Sequence, residues 1–61
     1  MERVIQILMK RDGLTREEAK DLVDETRDLL IEAAANGDYF ECDQIMADQL
    51  GLEPDYIMDI I

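Results

Sequence analysis

The residues with chemistry to offer are the carboxylates of the second half: Asp38, Glu41, Asp43, Asp48, Glu53, Asp55 and Asp59. No basic residue lies among them, because all six bases (Arg3, Lys10, Arg11, Arg16, Lys20 and Arg27) come earlier in the chain. Two readings follow from this one-sidedness. In the first, the acids form a solvated face that keeps a very small protein soluble. In the second, they are a binding surface for a basic partner protein, with helix-borne carboxylates imitating a row of phosphates. Such a field steers association and makes binding salt-sensitive. The best candidates for partner contact are Glu41, Asp48, Asp55 and Asp59. At helical spacing Glu41 and Asp48 share the side of a third helix away from Met46 and Leu50, and Asp55 and Asp59 stand one turn apart on a fourth.

Other chemistries find little support. Asp38, Glu41 and Asp43 are close in sequence, but the fixed glycine and final Glu of a calcium loop are missing. Without histidine and with one cysteine, the common zinc sites lack their ligands. Paired carboxylates for acid–base work would need a cleft that a domain this small has little room to build. Cys42 falls on an apolar stripe with no base beside it, which predicts an inert buried thiol and no disulfide. The expectation is a protein that is not an enzyme and holds no cofactor or metal.

A net charge of −10 on 61 residues opposes binding to nucleic acid and to anionic membranes. No apolar run approaches the ~20 residues of a membrane span, and no signal-peptide pattern is present. The expected setting is the cytosol. Residues 1–61 allow one domain, and a chain of this length buries only ~60% of its unfolded surface. Ile31, Ile7, Met9 and Met58 exceed what four short helices can cover internally. Self-association, as a homodimer, would relieve that deficit.

The elements that position the acids read as all-α, three to four helices with a long central one. Alternation is absent and β-branched residues are few, so no strand competes. A first helix over Met1 to Arg11 presents Met1, Val4, Ile5 and Leu8, and Gly13 stops it. The central helix runs from about Arg16 to Ala35. Thr15 and Glu18 form a capping box, Leu14 and Ala19 a staple, and Asn36-Gly37 the stop. Its stripe is Ala19, Leu22, Val23, Thr26, Leu29, Leu30, Ala33 and Ala34. A third helix over Tyr39 to Leu50 is capped by Asp38, with Glu41 at the box position and Tyr39, Cys42, Met46 and Leu50 facing the core. Pro54 opens a short fourth helix lined by Tyr56, Ile57, Ile60 and Ile61.

Met46-Ala47, Leu50-Gly51-Leu52, Ile57 and Ile60 stand where a helix-turn-helix needs apolar, small and corner residues, and this stretch resembles a degenerate member of that family. The would-be recognition helix, Pro54 to Ile61, carries Asp55 and Asp59 and no base, so phosphates would be repelled and the corner is read as packing. The segments Ile7 to Val23 and Ile45 to Ile61 share a frame about Gly13-Leu14 and Gly51-Leu52. Duplication and shared corner chemistry both account for it. The segments Arg11-Asp-Gly-Leu-Thr-Arg-Glu-Glu-Ala19 and Leu50-Gly-Leu-Glu-Pro-Asp-Tyr-Ile57 resemble small acidic helical proteins of phages and prophages. That likeness implies a setting, the host cytosol, and no residue roles. The expected function is a phage-type accessory protein that binds a basic or nucleic-acid-binding host protein through its acidic second half. A structural or oligomerisation module is the alternative, and a degenerate helix-turn-helix regulator comes third.

Overall fold

A computed structural model describes all 61 residues and is 82% helical, with no strand. The all-α expectation and the long central helix hold. The elements are α1 (Glu2–Asp12), α2 (Arg16–Ala35), α3 (Tyr39–Ile45) running on into a π-helical turn (Met46–Leu50), then a 3₁₀ turn (Pro54–Tyr56) leading into α4 (Ile57–Ile60). At 1.5 Å per residue, the 20 residues of α2 make a rod of about 30 Å. The molecule is 33 Å along its longest axis, so α2 runs nearly its full length. On α2 pack α1, α3 and the π turn, and α4 closes against α1.

Local chemistry explains each boundary. Gly13 ends α1 with φ 67°, its N–H returning to the Met9 carbonyl. Thr15 and Glu18 complete the expected capping box in both directions, at 3.1 and 2.9 Å. At the far end of α2, the Asp38 N–H reaches the Ala33 carbonyl and the Gly37 N–H reaches Ala34. Those two bonds are a Schellman stop, with Gly37 at φ 73°. Asp38 then turns its side chain to the Glu41 N–H at 3.1 Å and opens α3. One residue therefore closes α2 and starts α3, which fixes a tight corner between them.

The core is Val4, Ile5 and Leu8 of α1, Ala19, Val23, Leu30 and Ala33 of α2, Cys42 of α3, Met46 and Leu50 of the π turn, and Ile60 of α4. Thr26 is the one buried polar residue, and its hydroxyl donates to the Leu22 carbonyl at 2.8 Å. Cys42 is buried with Sγ 3.8 Å from the Leu30 carbonyl oxygen. Met9 and Leu14 pack against this core from its edge, and Ile7 is half-buried.

Several expected core positions lie outside it. Tyr39 is 71% exposed, because it begins α3 at the corner and the helix meets the core only from Cys42 onward. Leu29 is 37% exposed on the flank of α2, and Leu22 and Ala34 are half-buried. Ile60 enters the core where Ile61, past the last helical residue, is exposed. The third helix is not uniform, since its last turn widens to π geometry before Gly51 stops it at φ 64°. Asp38 makes only half of the expected capping box: its own N–H is taken by Ala33, so the Glu41 carboxylate has no cap donor to reach for.

Candidate functional site

The four sequence candidates fall in four successive elements. Glu41 lies on the first turn of α3, Asp48 in the π turn, Asp55 in the 3₁₀ turn, and all three are exposed. Asp59 is half-buried on α4, where its carboxylate lies 3.8 Å from Arg3 of α1. The Arg3 guanidinium also stands over the Tyr56 ring, 5.1 Å from its centre. The Met1 amine donates to the Asp59 backbone carbonyl. Asp59 thus helps join α1 to α4, whereas the other three carboxylates have no cation beside them.

The bases of the first half are largely engaged within the chain. Arg16 holds Glu2, Arg11 holds Asp12 and Lys20 holds Asp24. Two hydrogen bonds from Arg16, with a third from Gln6, hold the Glu2 carboxyl down to about 2. The Asp12 carboxyl is likewise lowered by the Arg11 guanidinium, and Glu18 by the Thr15 N–H. Of the seven acids from Asp38 onward, only Asp59 has an ion-pair partner.

Glu41 belongs to a constellation the sequence does not reveal. An open groove of about 310 Å³ lies between the end of α2 and α3, lined by Leu29, Glu32, Ala33, Asn36, Asp38, Glu41 and Ile45. Its apolar members come from both helices, and its acids are Glu32, Asp38 and Glu41. Glu32 lies in the last turn of α2, which carries no base, and Asp38 caps α3. Only the Schellman corner brings them to Glu41. Asp48, Asp55 and Asp59 do not line this groove.

No three thiols or carboxylates converge where a cation could be held. No helix is long and apolar enough to cross a membrane. At the C-terminal corner, Gly51 takes its left-handed conformation, but the segment after it is a 3₁₀ turn and one turn of α-helix. That is too short to lie along a major groove. No protein-family model, curated protein or solved structure matches the chain.

Proposed function

We propose that this chain is a non-enzymatic accessory module that binds a basic partner protein through its acidic second half, the carboxylates standing in for phosphates where that partner handles nucleic acid. The observation behind this reading is uncompensated charge: six of the seven acids from Asp38 onward have no cation near them. A surface of this kind repels nucleic acid and speeds encounter with a basic protein. The likeness to small acidic phage and prophage proteins adds a bacterial cytosol as the setting.

The test is capture of a partner from a bacterial lysate, followed by binding kinetics with the purified protein. Asp48→Lys with Asp55→Lys should slow association and weaken the complex on the order of tenfold at low salt, with the loss shrinking as salt rises. Glu17→Lys and Asp21→Lys are the controls, since mixed charges surround both positions. A captured partner indifferent to salt and to the paired reversal would reduce the acids to a solubilising coat.

An oligomerisation module is the second reading, and exposed apolar side chains favour it: Ile31 at 43%, Met58 at 85% and Ile61. It requires a dimer by sedimentation equilibrium at micromolar concentration. A clean 7.0 kDa species there would reject it.

A further inference from the structure

We infer that the groove between the end of α2 and α3 is the seat of the basic partner, and that its occupant is an amphipathic helix whose arginines or lysines flank an apolar anchor. The inference rests on the acidic-half reading and gives that reading a location. The groove offers Leu29, Ala33 and Ile45 for an apolar contact, and Glu32, Asp38 and Glu41 for cations. No Lys or Arg lines it. The negative end of the α2 macrodipole opens here with no base in its last turn, which adds to the field. Glu41 is available because the Asp38 N–H is bonded to Ala33, so no second capping bond draws the carboxylate back to the backbone. Tyr39 and Phe40, 71% and 74% exposed, lie between Asp38 and Glu41 in sequence and do not themselves line the groove. Exposed aromatics are among the side chains that anchor protein contacts.

Charge selects among occupants. A second copy would bring another −10 to an acidic rim, and its Arg3, Arg11, Arg16 and Lys20 are already paired internally. An acidic or neutral segment would leave the carboxylates facing like charge or nothing. A helix with cations one turn either side of a Leu or Phe meets both parts of the groove at once.

The probe is a fluorescent synthetic helix with an Arg-rich polar face and a Leu/Phe apolar face, alongside a scrambled peptide of the same composition. Anisotropy at low salt should show the helix binding more tightly than the scramble. Amide shifts should cluster in residues 29 to 45. Glu32→Gln with Glu41→Gln, and separately Leu29→Gln, should each weaken binding about tenfold, with circular dichroism unchanged. Equal affinity for the scrambled peptide would overturn the groove as a seat. Loss of binding through Asp48→Lys and Asp55→Lys, with no effect of the groove variants, would overturn it while keeping the acidic-half reading. Self-association abolished by Leu29→Gln would assign the groove to a second copy and overturn it as well.

Discussion

Arg11 shows how one side chain can hold a small fold together without any local signal. Its Nη1 donates to the Gly51 carbonyl at 3.2 Å, its Nη2 to the Leu50 carbonyl and to Asp12, and its Nε to Asp12 at 3.0 Å. The guanidinium thereby satisfies carbonyls left open at the end of the π turn and ties them to the end of α1. Lysine has the charge but not the fork. Arg11→Lys should therefore lose nearly as much as Arg11→Met, about 1 kcal/mol after allowance for exposure, or about 4–8 °C in Tm. Full retention of Tm by the lysine variant would show that charge alone suffices. An added Cβ at Gly51 would lie 3.5 Å from Arg11 Nη1, an ordinary van der Waals contact, and one at Gly13 would meet nothing. Both positions have positive φ, so valine is strained at either. The two valine variants should therefore lose stability alike, through backbone strain and not through a clash with Arg11. Glu2 supplies a pH signature. Its pKa is lowered from 4.5 to about 2, so its pairing stabilises the fold above 4.5 and is lost as pH falls through 2. Glu2→Gln should flatten the thermal-melt profile across that window, by a small amount because the pair is solvent-exposed. An unchanged profile would show that the Glu2 pKa is the same in the folded and unfolded chain and that the pair adds no stability.

At the scale of elements, the two caps that bracket α2 and α3 look alike in sequence and differ in consequence. Thr15 exchanges both bonds with Glu18, and Asp38 makes one with Glu41. Thr15→Ala should cost about 0.5–2 kcal/mol by urea unfolding. Glu41→Gln should cost almost nothing, because its side chain takes no part in a cap. A loss at Glu41→Gln as large as at Thr15→Ala would mean that the half-box is the wrong description of the corner. The start and stop of α2, the glycine corners and most of the core stripe were legible from residue type and spacing, since these depend on a few neighbours. Periodicity also put Tyr39 and Leu29 in the core, because spacing reports which face a residue shares and not how far the neighbouring helix extends over it. The groove is not legible in the sequence for the same reason: Glu32 and Glu41 come to line it together only through the angle of the Schellman corner. Nothing in the spacing of Met46 to Leu50 distinguishes a π turn from an α turn, since their apolar positions suit both.

For the molecule as a whole, the acids proposed to serve binding should work against the fold. A charge of −10 is held within 33 × 17 × 16 Å, and the second half has almost no cation to offset it. At ~0.01 M ionic strength the Debye length is ~30 Å, so every carboxylate feels the others. At ~0.15 M it is ~8 Å, and only near neighbours do. The Tm should therefore rise with sodium chloride over this range, most steeply at its lower end. Asp48→Lys with Asp55→Lys should raise Tm at low salt, and that gain should fade as salt is added, because both positions are exposed and neither makes an ion pair. The same reversal is expected to weaken the partner complex. Gain in stability and loss of binding from one pair of substitutions is the pattern of a surface kept for function at the expense of the fold. Thermal melts of the wild type and the paired variant at the two ionic strengths measure the stability side. If the reversal lowers Tm at low salt, Asp48 and Asp55 are held by attractive contacts within the molecule, and the argument from uncompensated charge fails at its base.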